Sequence, residues 1–304
     1  MTVVDELAGV RWRRGLACRL PRLWLDVPRP GALCVLTDAD VAVPARAKVL
    51  ATPQAAALAA LTAGRALQVP YGQPFQLGAG AVELLPSGAS LGGAIARLHG
   101  QGQTILAVRS AVLESLPSCA PLELRDADVL LVDAALADTH THPPSALRAL
   151  LHAALAGPPQ VWLLQDPLLA LDLALWTDGA PRLAPTLQRL VERSRLPVLA
   201  PRPPGRVPDG VLLWPLAQVA RLPLAWRTVP QCAVAEPGQP LPADVSCLPF
   251  SRRPAGAVLD TLVQRASCRA VLAWGAGAES LAQRLTARGQ PCHVLRIPFQ
   301  LPLV

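Results

Sequence analysis

Residues 32–36 form an apolar run that stops at Thr37 and gives way to Asp38, Ala39, Asp40, Val41, Ala42 and Val43. A short apolar run bounded by polar residues reads as a strand. A loop of alternating polar side chains directly behind a strand is a common way to build a metal site.

The chain has 304 residues, enough for one large domain or two of ordinary size. With 52% hydrophobic and only 16% charged residues it has ample material for a core. The 33 prolines and 21 glycines are spread along it, which favours many short elements over a long helical bundle. The net charge of +7 is almost entirely arginine, since Lys48 is the only lysine. That charge suits a nucleic-acid partner; codon usage in a GC-rich genome produces the same excess. Seven cysteines without a C-x-x-C pair point away from a zinc ribbon and from a disulfide framework, and toward a reducing cytoplasm. The first residues lack the apolar segment of a signal peptide, and no run is long enough to span a membrane.

Taken in order, Arg11, Arg13, Arg14, Arg19 and Arg22 make residues 1–23 the most basic stretch. Strands are expected over 47–50, 82–85, 94–98, 103–108 and 128–133, the last an apolar run that ends in Asp133. A helix is expected over 53–67, with Thr52 as N-cap and Pro53 at its first position. A second helix, over 145–156, has Ser145 as its expected cap. From residue 141 the pattern becomes an alternation of strands (161–165, 197–200, 211–214) and a helix (185–194), which suggests a small parallel-sheet unit. Residues 245–304 read as strand, helix (255–265), strand (270–274), helix (279–288) and strand (292–297).

Several of these segments carry a resemblance. Trp24-Leu25-Asp26, Arg29-Pro30 and Thr37 lie in the order of a Y-I-D-P-W-R-P segment that leads into T-H-x-H-x-D-H. Tyr71-Gly72-Gln73-Pro74 is similar to Y-G-E-P, and residues 85–93 to the turn H-P-A-G-H-x-L-G-S. Together they resemble the metallo-β-lactamase fold in its β-CASP nuclease branch, the bacterial mRNA 3′-end processing factor and ligase-associated DNA exonuclease family, over roughly residues 16–298. The resemblance implies an α/β fold: an αββα sandwich in two parts, residues 1–140 and 246–304, with an inserted β/α cap over 141–245.

It also implies where zinc would sit, and there the chain departs from the pattern. Asp38 and Asp40 stand at the first two histidines, with Ala42 and Val43 at the following aspartate and histidine. Ala89 stands at the next histidine and Ser110 at the bridging aspartate, while Asp133 keeps the acidic motif. Arg253 and Gly275 replace the last two histidines. The expectation is a scaffold without its zinc centre, and without any other cofactor. In the family the residue like Asp26 braces the metal loop. An all-carboxylate Mg2+ site from Asp26, Asp38, Asp40 and Asp133 is the alternative, since a hard cation takes oxygen ligands. His140 and His142 read as solvent-facing, not as ligands.

Arg109, Arg202, Arg206, Arg252 and Arg253 are the candidate nucleic-acid contacts. For Arg109, Arg252 and Arg253 the competing role is to pair with Asp38, Asp40 or Asp133 and fill the vacated pocket. The functional expectation is a catalytically inactive nuclease-like protein. It would bind nucleic acid, or act as partner or regulatory subunit of an active homologue or a DNA-repair component. A residual metal-dependent exonuclease with a rebuilt aspartate site is the alternative.

Overall fold

The structure, a computed structural model, describes residues 10–12, 16–18, 22–62, 64–197, 202–205 and 207–295. It divides into two units. The first comprises the chain up to Leu113, Pro121–Thr139 and everything from Arg253 on; the second comprises Glu114–Ala120 and His140–Arg252.

The first unit opens with a six-stranded sheet in sequence order: β1 (Val10–Trp12), β2 (Leu16–Cys18), β3 (Leu23–Leu25), β4 (Leu33–Val35), β5 (Lys48–Ala51) and β6 (Ala66–Gln68). The first three strands meander antiparallel; β3 to β6 are parallel. A second sheet begins with β7 (Phe75–Leu77), β8 (Gly80–Pro86), β9 (Ala94–Gly100), β10 (Gln103–Val108) and β11 (Val129–Asp133).

The chain then builds the second unit, a parallel five-stranded sheet of β12 (Gln160–Leu164), β13 (Arg182–Leu183), β14 (Val211–Pro215), β15 (Gln231–Ala235) and β16 (Ser246–Pro249). Its spatial order is β13-β14-β12-β15-β16. Returning to the first unit, β17 (Ala270–Trp274) and β18 (Cys292–Val294) complete the second sheet as β18-β17-β11-β10-β9-β8-β7.

In the first unit, period-two alternation gives each sheet two faces. Leu25, Val35 and Leu50 from one sheet pack with Leu84, Leu98, Leu131 and Leu272 from the other in a single core. The opposite face of the six-stranded sheet packs Cys34, Val49 and Ala51 against Ala55 and Ala56 of the helix Pro53–Leu58. The opposite face of the seven-stranded sheet, through Leu130, Val132, Val271 and Ala273, packs against Leu259 and Leu262 of the helix Gly256–Arg265 and Leu281 and Leu285 of Ala278–Thr286. The layers are therefore helix, sheet, sheet and helices: a mixed α/β architecture with four layers.

Some sequence expectations need correction. The helix expected over 53–67 stops at Leu58, because Ala60 adopts a left-handed φ of 53°. The Ala57 and Ala56 carbonyls accept from Ala60 N and Leu61 N, which turns the chain back to form β6 beside β5. Ser145 does not cap the helix Pro144–Leu155; Pro143 holds that position, and Ser145 Oγ donates to Glu114 at 2.9 Å. The strand at 246 does not return to the first unit, since β16 pairs with β15, so the second unit runs on to Arg252. The helix Leu169–Trp176 was unmarked in the sequence because it is apolar on every side and lacks a polar stripe. Arg13, Arg14, Arg19, Arg206 and residues 198–200 of the expected strand 197–200 lie outside the described residues. Among the described residues no helix is long and apolar enough to cross a membrane.

Thr52 ties two layers together. Its hydroxyl accepts from Ala55 N at 3.1 Å as the helix cap and donates to Gly92 O at 2.7 Å. Thr52→Ala removes both bonds and is expected to cost about 1–2 kcal/mol, the upper range for a lost cap, whereas Thr52→Ser retains most of the stability. Urea unfolding of the two variants checks this.

Candidate functional site

At the carboxyl ends of three neighbouring parallel strands the inward-facing row of the seven-stranded sheet changes character. Two residues after Leu131 stands Asp133, two after Leu272 stands Trp274, and two after Ala107 stands Arg109. Asp133 and Trp274 are register partners across β11 and β17. The facing sheet contributes Leu16, Leu25, Asp26, Val27 and Thr37. These residues enclose a cavity of about 140 Å³ where the core between the sheets opens.

Asp26 organises the facing side. β3 ends at Leu25, and Asp26 takes a left-handed φ of 52°, a conformation that Asp tolerates better than most residues. From there one carboxylate oxygen accepts from Thr37 N at 2.7 Å and the other from Thr37 Oγ1 at 2.6 Å. The carboxylate thus clips the loop that follows β4 to the end of β3. Burial pushes its pKa up to about 6, against the opposing pull of Arg109 and of the Thr37 hydrogen bonds. Beside it, Arg29 stacks on Trp24 with its guanidinium carbon 3.9 Å from the ring centroid.

The next two aspartates point in different directions. Asp38 is buried, and its Oδ1 accepts from Ala39 N at 2.7 Å and from Ser90 Oγ at 3.0 Å. Ser90 belongs to a knotted turn in which Ser87 N donates to Gly93 O, Gly93 N to Ser90 O, and Tyr71 Oη to Gly93 O. Asp40 is exposed, and its two oxygens chelate Arg109 Nη1 and Nη2 at 2.8 and 3.0 Å. This fork-to-fork geometry is the strongest an arginine makes with a carboxylate. Burial works against the charge on Arg109, but Asp26, Asp40 and Asp38 together outweigh it and hold the guanidinium protonated beyond its ordinary range.

Asp133 is buried; its Oδ1 accepts from Ala135 N at 2.9 Å, and Arg253 Nε lies 3.9 Å from Oδ2. Gly275 has a φ of 102°, and a Cβ there would stand 2.8 Å from Ala135 N and 3.1 Å from Asp133 Oδ1. The chain leaves no room for any side chain at that position.

The cavity thus gathers Asp26, Arg109 and Asp133. It does not gather the four aspartates of the carboxylate alternative: Asp38 is drawn to Ser90 and Asp40 to Arg109, and neither lines it. Ala89 and Ser110 are buried and also do not line it. Arg109 takes the pairing role with Asp40 that competed with a nucleic-acid contact, and it also lines the cavity. Arg252 is buried in the second unit and ion-paired with Asp166. Arg202 is exposed, and Arg206 lies outside the described residues. His140 is exposed and His142 half-buried. Sequence reasoning gave no sign of Asp172, buried in the second unit with Ser118 N donating to it at 3.0 Å and its pKa pushed by burial up to about 6. It sits inside an apolar helix with nothing nearby in sequence to mark it.

The zinc that the resemblance implies does not fit these residues. Its expected imidazole positions hold two carboxylates, a valine, an alanine, an arginine and a glycine, and a permanent guanidinium cation stands among the carboxylates. Among the described residues no three His, Cys, Asp or Glu side chains gather as a metal-binding group.

No family model matches this chain, and no curated protein matches it either. Among solved structures it is similar to a protein of unknown function from Enterococcus faecalis V583. The TM-score is 0.55 at 10% sequence identity, over 79% of this chain and 74% of that one. The likeness is one of fold.

Two outcomes test this geometry. Asp26 has a folded-state pKa near 6, above the roughly 3.9 of an unfolded aspartate, so the folded state holds its proton more readily. Its contribution is full below about pH 4 and is lost as pH rises through about 6; Asp172 acts in the same direction. Urea unfolding across that window should show stability falling with pH, and Asp26→Asn should shallow the slope. Gly275→Ala is expected to destabilise by roughly 1–3 kcal/mol, through positive φ and backbone crowding.

Proposed function

We propose that this chain is a catalytically silent protein with a metallo-β-lactamase-type αββα sandwich and a β-CASP-like cap. It acts in the cytoplasm by binding nucleic acid, or as a partner subunit in nucleic-acid processing or DNA repair. The observation that carries the reading is the Arg109–Asp40 chelate. A fixed cation now supplies the positive charge that metal supplies in zinc nucleases, and it offers no open coordination position to activate water. The net charge of +7 and the exposed Arg202 support a polyanionic partner.

A second reading has one observation in its favour. Asp26 and Asp133 share a cavity, and their oxygens are the donors a hard cation takes. It predicts metal-dependent cleavage.

The test is elemental analysis of purified full-length protein, with labelled DNA and RNA incubated in zinc, manganese or magnesium. Substoichiometric metal, intact strands, and binding that weakens steeply with salt are expected. Stoichiometric transition metal would overturn the proposal. Metal-dependent cleavage abolished by Asp133→Ala would do the same and favour the second reading.

A further inference from the structure

The cavity between the sheets has a size and a chemistry that the silent-nuclease reading does not use. At about 140 Å³ it is close to the roughly 150 Å³ of an engineered protein cavity that admits benzene, so it suits one six-membered ring. Leu25, Val27, Ala107 and Trp274 form apolar walls. The polar wall is made by Asp26, Asp133 and Arg109. Arginine carries five N–H donors, of which Asp40 takes two from Arg109, and the aspartate oxygens accept.

A ligand must match that mixture. A phosphate would face two carboxylates and be repelled. A hydrocarbon would displace water from these polar groups and offer no hydrogen bond in return. A ring with an amino donor on one side of its edge and a carbonyl acceptor on the other satisfies both. Carboxylates accept from the amino group of cytosine, and arginine donates to base carbonyls.

We propose that this cavity holds a single-ring nucleobase bearing an exocyclic amino group, cytosine, with its amino edge toward Asp26 and Asp133 and its carbonyl toward Arg109. The inference rests on the nucleic-acid reading above and names the part of a strand that enters the site. Uracil fits the same volume but turns a carbonyl oxygen toward the carboxylates.

The experiment is calorimetric or NMR titration of the full chain with cytidine and with uridine, beside salt-dependent binding of oligo(dC) and oligo(dT). Cytidine should bind at millimolar concentration or below, uridine at least about ten-fold more weakly. Ala107→Leu, which fills the cavity, should abolish cytidine binding. Should that variant fail to fold, Asp133→Asn takes its place, because its amide can donate to the uracil carbonyl and should shift preference toward uridine, a reversal that misfolding cannot produce. No cytidine binding, equal binding of uridine, or undiminished binding by folded Ala107→Leu would overturn the proposal. Salt-sensitive oligonucleotide binding without base preference or cytidine binding would sink the pocket and leave the nucleic-acid reading standing. Cytidine binding without oligonucleotide binding would sustain the pocket for a free nucleoside and sink that reading.

Discussion

Four carboxylates stand near the open end of the sandwich, and their mutual repulsion must be met by something. Arg109 meets much of it. It grips Asp40 with two parallel hydrogen bonds, and the fields of Asp26 and Asp38 reinforce its charge. A guanidinium suits this role because it cannot be deprotonated and presents a planar fork. A lysine would offer a point charge at one oxygen. The remaining carboxylates are handled locally: Asp38 by Ser90 and Ala39 N, Asp133 by Ala135 N, and Asp26 by Thr37.

The same groups hold the fold together at that end. Asp26 clips the loop after β4 to the end of β3, and Thr37 O accepts from Ala94 N at 2.7 Å, which links that loop to the other sheet. Thr52 and Tyr71 anchor the Gly92–Gly93 turn from two further elements. The loops at this end are joined by hydrogen bonds among themselves. The cavity stays open because the bonds run around it, with Asp26, Asp133 and Arg109 left lining its wall.

Much of this was legible in the sequence. The run ending in Thr37, the apolar run ending in Asp133 and the Thr52-Pro53 start each report a local rule: burial with period two, or a helix cap. The competing roles open for Arg109 were also visible, but the choice between phosphate and Asp40 depends on a contact between residues 69 positions apart. No local pattern encodes it. The premature end of the helix at Leu58 was hidden because the alanines that follow are good helix formers, and pairing of β6 with β5 overrode that preference. The switch of β16 into the second sheet was hidden for a similar reason: a four-residue strand looks alike in either sheet.

The most direct test of Arg109 as the group that holds these carboxylates together is a double-mutant cycle between Asp40 and Arg109, using Asp40→Asn, Arg109→Gln and the double variant in urea unfolding. A bidentate pair in partly buried surroundings should give a coupling of at least about 1 kcal/mol, above the level at which independent sites add. Strict additivity of the two single changes would mean that Arg109 does not hold the carboxylates together, and that their charge is met in some other way.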